Sequence, residues 1–293
     1  MTTTTVTVPS PTTGSSASDE RPGHAARRSA PTRLASDILV FTGRNLQHIR
    51  QVPEKLLDVT VQPLMFVLLF AYVFGGAIKV AGGSYREYLF CGILIQTLSF
   101  GMVGPATSIA TDLTEGVLDR FRTLPTSRSA YLGGHFLAEL AGLTLSMTII
   151  SATGLAVGWR VHSSLVHAVA GFVLLLVYTA AMIWLGTLVG ITARTPDSVT
   201  GVAFIVVFPL TFASNAFVPI DSMPGWLQPV AAYNPVSIMV AASRELFGNP
   251  TAPTRRQFWT LEHPVLTGTI WSVVLLAIAV PLTIARFRQR TSD

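Results

Sequence analysis

Residues 161–193 read VHSSLVHAVAGFVLLLVYTAAMIWLGTLVGITA, 33 consecutive positions without Asp, Glu, Lys or Arg. A helix of about 20 apolar residues, rising about 1.5 Å per residue, crosses the hydrocarbon of a bilayer. This stretch is long enough to cross and carries no charge into lipid. Charge-free stretches recur at 59–78, 88–111, 140–159, 198–220, 222–243 and 263–285. Composition agrees with that pattern. Half of the 293 residues are apolar, 12% are charged and the mean hydropathy is +0.53. A soluble domain carries about 25% charged residues. Too few charges remain to cover a water-soluble globule of this size, which excludes a cytosolic enzyme. The fold class is an all-α polytopic membrane protein.

Six transmembrane helices are expected, at about 59–78, 88–111, 130–158, 165–192, 198–218 and 263–285. The stretch 222–243 is set aside. It holds Pro224, Gly225, Gln228, Pro229, Asn234 and Pro235, which break helices and leave backbone groups unpaired, and lipid does not tolerate that. It is expected to form one or two short re-entrant or interfacial helices between spans 5 and 6. Residues 1–34 are Thr, Ser, Pro and Arg with almost no large apolar side chain, and are expected to be a disordered tail. No apolar run of signal-peptide length follows Met1. Residues 35–291 then form one transmembrane domain. It opens on an N-terminal amphipathic interfacial helix over 36–58, in which Arg44, Asn45, His48 and Arg50 interleave with apolar residues before Pro53.

Basic residues orient the chain, because they gather on the cytoplasmic side. With six spans and both termini inside, 14 Lys and Arg fall on the inner side. Six fall outside: Lys79, Arg86, Arg160, Arg244, Arg255 and Arg256. The chain is therefore expected in a cell membrane, with both termini cytoplasmic. The same distribution accounts for the net charge of +5 without a nucleic-acid partner. A seventh span over 222–243 would leave the count unchanged, so its rejection rests on the prolines alone.

The second and third spans are joined by residues 111–128, TDLTEGVLDRFRTLPTSR, on the cytoplasmic side. Asp112 and Glu115 read as the first turn of a short amphipathic helix, where carboxylates suit the dipole, and Pro125 ends it. The residues alone allow two readings, a solvated loop resting on its own bundle or a docking element for a cytoplasmic partner. Glu139 is the only acidic residue well inside a span. Intramembrane carboxylates are costly and often functional, so Glu139 is a candidate substrate or gate contact, with a paired structural carboxylate as the alternative. His135 lies four residues earlier on the same helix face, but nothing supplies a third ligand, so no metal site is expected. Cys91 is the sole cysteine and makes no intrachain disulfide. Gly186 and Gly190 have the spacing that lets helices approach closely, here within the chain. Pro105, Pro209 and Pro281 should bend their spans. Trp159, Trp226, Trp259 and Trp271 fall near span ends, as interfacial anchors do.

Residues 115–125, EGVLDRFRTLP, with Ser127 and Arg128, resemble the signature of type-2 ABC exporter permeases. The run Ser214-Asn-Ala-Phe-Val-Pro219, then Met223-Pro-Gly-Trp-Leu227, then Asn234-Pro-Val-Ser237 and Arg244, resembles the same family. So does the amphipathic helix before the first span. The likeness covers about residues 35–290 and is nearest the daunorubicin/doxorubicin-resistance permease subunits of actinobacteria. The chain has no Gly-x-x-x-x-Gly-Lys-Ser/Thr, so it has no phosphate-binding loop. The resemblance thus implies a permease subunit of an ATP-driven exporter, not an enzyme itself, with MgATP on a separate cytoplasmic ABC ATPase. It implies a dimer with a second permease copy or a sibling permease. Asp112, Glu115, Gly116, Asp119, Arg120, Phe121, Arg122, Leu124 and Pro125, with Arg44, Asn45, His48 and Arg50, would then meet the ATPase. Asn215, Pro219, Asn234 and Pro235 would be extracytoplasmic gate candidates. The cargo would be an amphipathic drug-like molecule or a lipid. A polysaccharide or glycolipid exporter is the nearest alternative, and an ion-coupled secondary transporter using Glu139 is a second. An intramembrane enzyme would need a further catalytic group beside Glu139, and no His-Glu-x-x-His, Gly-x-Ser-x-Gly or paired intramembrane aspartate is present.

Overall fold

The computed structural model describes residues 83–116, 128–193, 195–252 and 254–290, together with Val61, Met65, Leu68, Leu69, Tyr72 and Val73. Among the described residues every regular element is helical. In chain order these are α1 (Tyr85–Phe100), α2 (Val103–Thr114), α3 (Arg128–Val157), α4 (Leu165–Thr192), α5 (Pro196–Phe212), a 3-10 turn (Ile220–Ser222), α6 (Leu227–Tyr233), α7 (Pro235–Phe247), α8 (Trp259–Glu262) and α9 (Pro264–Arg290). Among the described residues four runs are long and apolar enough to cross a membrane, at Tyr85–Thr114, Tyr131–Val157, Leu165–Thr192 and Pro264–Arg290, and α5 is a shorter apolar helix. The expected first span and the interfacial helix with Arg44, Asn45, His48 and Arg50 lie outside the described residues or almost entirely so.

Pro105 explains the break between α1 and α2. Proline has no N–H to give the carbonyl four residues back, and its ring crowds that carbonyl. That carbonyl belongs to Gly101, where α1 ends; Gly101 and Met102 form a turn before α2 begins at Val103. The helices α5 and α9 instead continue through Pro209 and Pro281.

The α1–α2 pair is the centre of the bundle. From Tyr85 to Leu98 nearly every side chain of α1 is buried, including Tyr88, Phe90, Ile93, Leu94 and Ile95. The helix α4 packs chiefly on α9 and α2. Its approach to α2 depends on two glycines. A Cβ on Gly186 would stand 2.1 Å from the Met102 carbonyl oxygen, and one on Gly190 2.2 Å from that of Ala106. The Gly186–Gly190 pair is therefore an intrachain seam. The outer faces of α5 and α9 carry exposed Phe204, Ile205, Phe208, Ile270, Val273 and Ile278. Such continuous apolar surface is a liability in water and ordinary against lipid.

The helices α6 and α7 replace a seventh span. At about 1.5 Å per residue, the 13 residues of α7 reach only about 20 Å, too short to cross. Nearly all of α7 is buried, against α9, α1 and α4. The bundle thus has one end built from 83–88, 158–164, 213–252 and 254–263, and an opposite end at 112–116, 128, 193, 195 and 196. The four tryptophans named above do not behave alike. Trp226, Trp259 and Trp271 are exposed, but Trp159 is buried. Its ring stacks on Phe90 at 4.1 Å and meets Phe247 edge-on, and its indole N–H donates to Asn249 Oδ1 at 2.7 Å. Trp159 is a core residue because the short helices fold back over it, which proximity to a span end alone does not reveal.

Candidate functional site

Two polar clusters stand out, one at each end of the bundle. At the first end, α5 stops at Phe212 and the chain runs irregularly to Pro219. The 17 residues of α5 span about 25 Å, somewhat less than the hydrocarbon thickness. Irregular backbone at that depth is tolerated only where protein groups satisfy it, and side chains do so here. Asn234 donates from Nδ2 to the carbonyls of Leu210 (2.6 Å) and Ala213 (3.0 Å), and its Oδ1 accepts from Val236 N–H at 2.8 Å. One amide thus closes the end of α5 and caps the start of α7, where Pro235 takes the first helical position that suits its missing N–H. Asn215 N–H donates to Ser237 Oγ at 3.0 Å. The carbonyls of Asn215 and Phe217 accept from the hydroxyls of Tyr88 (2.9 Å) and Tyr85 (3.1 Å).

At the middle of this corner is Arg244, only 2% exposed. Its Nε and Nη2 donate to the Tyr88 carbonyl at 3.1 and 2.8 Å, and Nη2 also donates to the carbonyls of Asn215 (3.1 Å) and Ala216 (3.2 Å). The guanidinium carbon stands 3.4 Å from the centre of the Tyr88 ring, a cation–π contact. Arg244 therefore ties α7 to α1 and to the chain after α5. In the sequence it is one more cation expected outside the membrane and is not among the expected site residues. The available signal was its position directly after 222–243, a charge-free stretch unable to span, where a lone Arg has irregular backbone to satisfy. Of the gate candidates, Asn215, Asn234 and Pro235 belong to this corner, while Pro219 stands apart at the start of the 3-10 turn, where Ser222 N–H and Oγ donate to its carbonyl.

At the opposite end the structure corrects the expected helix. Asp112 lies in the last turn of α2, not in a first turn, and Glu115 is its C-cap. Gly116 follows with φ of +67°, the left-handed conformation that glycine adopts freely at helix ends. The helix of the second span runs on to Thr114, past its expected end at 111, and so takes in Asp112. Asp112 is accommodated at an unfavourable dipole end by a hydrogen bond from the Tyr131 hydroxyl to its Oδ2. Tyr131 in turn stacks on Phe287 of α9, with ring centres 5.9 Å apart. It joins α2, α3 and α9, a role the sequence reading missed. Asp119, Arg120, Phe121, Arg122, Leu124 and Pro125 lie outside the described residues.

Tyr131, His135 and Glu139 follow at four-residue spacing on α3 and share a face. His135 is buried, and its Nε2 has no hydrogen-bond partner among the described residues. Glu139 is half-buried beside α2, with its Oε2 in position to touch a Cβ placed on Gly104. The structure thus brings Glu139 together with His135 and Asp112 on the α2–α3 seam, well apart from the Arg244 corner.

A family model for ABC-2 type transporters matches residues 36–247. The chain is 32% identical over 268 residues, 92% of each chain, to a daunorubicin resistance ABC transporter permease protein of Streptomyces coeruleorubidus. It is 25% identical over 232 residues to a doxorubicin resistance ABC transporter permease protein of Mycobacterium tuberculosis, covering 76% of this chain and 80% of the relative. A putative transport permease of Cyanophora paradoxa is 24% identical over 219 residues, 73% of this chain and 74% of the relative. The match takes in both polar clusters, from the end of α2 to Arg244. The chain belongs to the ABC-2 type transporter family and is an ABC transporter permease.

Proposed function

We propose that this permease moves an amphipathic drug-like molecule or a lipid out of a bacterial cell, driven by ATP that a separate cytoplasmic subunit hydrolyses. The observation that carries this reading is the likeness, along nearly the whole chain, to a permease named for daunorubicin resistance. The absence of a Gly-x-x-x-x-Gly-Lys-Ser/Thr sequence supports placing MgATP on a partner ABC ATPase, with the loop after α2 as the contact. A second permease, identical or sibling, would complete the pathway. Inside-out membrane vesicles test the function. Vesicles holding the permease and its ATPase should accumulate a fluorescent anthracycline only when ATP is present, and a protonophore should leave uptake intact. Uptake that ignores ATP and collapses with the proton gradient would favour the ion-coupled alternative.

The sequence count of 14 basic residues in the segments expected inside against six in those expected outside supports a cytoplasmic position for both termini and for the loop after α2. In a Cys91→Ala background, an impermeant thiol reagent applied to whole cells should label cysteines placed at Ser222 or Thr251, both exposed, and spare one at Ser127. Labelling of Ser127 and protection of Thr251 would invert the topology.

Glu139 is proposed as a substrate or gate contact, because it is half-buried on the seam where α2 and α3 would move against each other. Glu139→Gln keeps the shape and removes the charge. Efflux should fall severalfold at normal membrane abundance. A parallel fall in abundance would make the residue structural, and unchanged efflux would remove it from the pathway.

A further inference from the structure

The helix α5 meets the bundle along Val199, Ala203, Val207 and Thr211, all buried at four-residue spacing. Each of the last three is followed by a phenylalanine, namely Phe204, Phe208 and Phe212. At about 100° per residue, these three lie on the flank of α5, beside its packing stripe, and not on its outward pole. Exposure shows the difference. They are 49%, 46% and 40% exposed, against 75% for Ile205 on the pole.

The flank borders α1 and the chain that follows α5. Phe204 meets Phe100 of α1 with ring centres 5.5 Å apart, Phe208 stacks on Phe212 at 4.3 Å, and Phe212 stacks on Phe217 at 5.2 Å. Phe217 is buried in the Arg244 corner, where its carbonyl accepts from the Tyr85 hydroxyl. A row of rings thus runs from the middle of α5 toward the end proposed to be extracytoplasmic, about 12 Å along the helix from Phe204 to Phe212.

Contact with lipid alone leaves this row unexplained. Among the described residues Phe204, Phe208 and Phe212 are the only exposed phenylalanines, and the outer faces of α3 and α9 are mostly aliphatic, as at Leu137, Leu145, Val274 and Ile278. Aliphatic side chains serve hydrocarbon tails equally well, and phenylalanine lacks the polar tip that suits Trp and Tyr to the headgroup region. Half-open, stacked rings offer π faces beyond their apolar area, and another flat ring is the matching partner. No charged residue lies between Asp197 and Asp221, so the row suits the uncharged ring body of an amphiphile and not its head group.

We propose that Phe204, Phe208 and Phe212 bind the planar aromatic body of the cargo on its way to the outer side. The assignment rests on the transport reading and deepens it, since it narrows the cargo to polycyclic aromatic amphiphiles and names the residues that select them. Binding is measured without ATP. Failed ATP-driven uptake would therefore leave it standing, and failed binding would leave an exporter of non-aromatic amphiphiles.

Full-length permease in phosphatidylcholine nanodiscs is titrated with daunorubicin, read by its own fluorescence, and calorimetrically with aminoandrostane, a saturated polycyclic amine. Empty nanodiscs supply the background. Phe208→Leu combined with Phe212→Leu keeps the surface apolar and removes two ring faces. This double variant should bind daunorubicin about fivefold or more weakly, the scale of two aromatic contacts, and aminoandrostane within about twofold of wild type. Phe204→Leu, at the far end of the row from the corner, should weaken daunorubicin binding in the same direction even if the double variant fails to fold. Mass photometry follows the oligomeric state of each variant, which should not change. Wild-type permease that does not bind daunorubicin, or binding unchanged in Phe204→Leu and in the folded double variant, would overturn the proposal. So would an equal loss for both amines, which would make the row plain apolar surface, or a loss that accompanies a changed oligomeric state, which would assign the row to contact with a second permease.

Discussion

Arg244→Ala should destabilise the folded permease by about 3 kcal/mol or more. Three carbonyls, those of Tyr88, Asn215 and Ala216, lose the guanidinium together, although that of Asn215 keeps the Tyr88 hydroxyl. Each buried polar group left unsatisfied costs about 1–3 kcal/mol. The Tyr88 ring also loses the cation above it, worth about 1–2 kcal/mol in a desolvated site. Against this stands the relief of a buried charge, which keeps the expected loss below the simple sum. Arg244→Lys should be intermediate, because an ammonium is a point charge and cannot present the planar fork that serves three carbonyls at once. Melting of the detergent-purified permease, with membrane abundance beside it, checks the order wild type, Lys, Ala. An Ala variant that melts with wild type would remove Arg244 as the tie between α7, α1 and the end of α5.

Phe121→Ala should lower the affinity of the permease for its ATPase by about thirtyfold, or uncouple ATP hydrolysis from transport, while insertion stays normal. The segment after α2 is where the family resemblance places the contact, and Phe121 is its large aromatic. Truncating a buried aromatic anchor costs about 2 kcal/mol or more, which is about thirtyfold in affinity. The flanking charges Glu115, Asp119, Arg120 and Arg122 would lie at the rim, where an exposed pair is worth about 0–1 kcal/mol. Arg122→Ala should therefore do less than Phe121→Ala. Titration of purified ATPase onto permease in nanodiscs separates the two. Equal losses in both variants would move the anchor elsewhere.

The long helices were legible because lipid imposes a simple rule. A run such as 161–193 has neither charges nor breakers, and α4 follows it closely. The short helices at 227–247 were legible from their prolines, which cannot be accommodated in a lipid-facing span. The end of α2 was not. Asp112 and Glu115 look like N-terminal residues by local preference, and the Tyr131 hydroxyl that accommodates the Asp112 carboxylate in the last turn lies nineteen positions away. Trp159 was misread for a similar reason. Its depth depends on Phe247 and Asn249, which pack against it from a distant part of the chain. Arg244 shows the same limit at the candidate site. Local sequence records a cation after a charge-free run, whereas its value comes from three carbonyls contributed by α1 and by the turn after α5. The gate candidates were partly legible, since Asn-Pro at 234–235 is a helix-start signal, but the signal does not disclose that Asn234 also closes α5.

Transport by this chain is proposed to require a separate ATPase. That requirement is tested most directly by isolating the tagged native permease from its own membrane under mild detergent, then measuring ATP hydrolysis by the isolated complex with and without an anthracycline. An ABC ATPase subunit should accompany the permease in stoichiometric amount, and the drug should raise hydrolysis. A permease recovered without any ATPase, from membranes in which it still drives efflux, would contradict it.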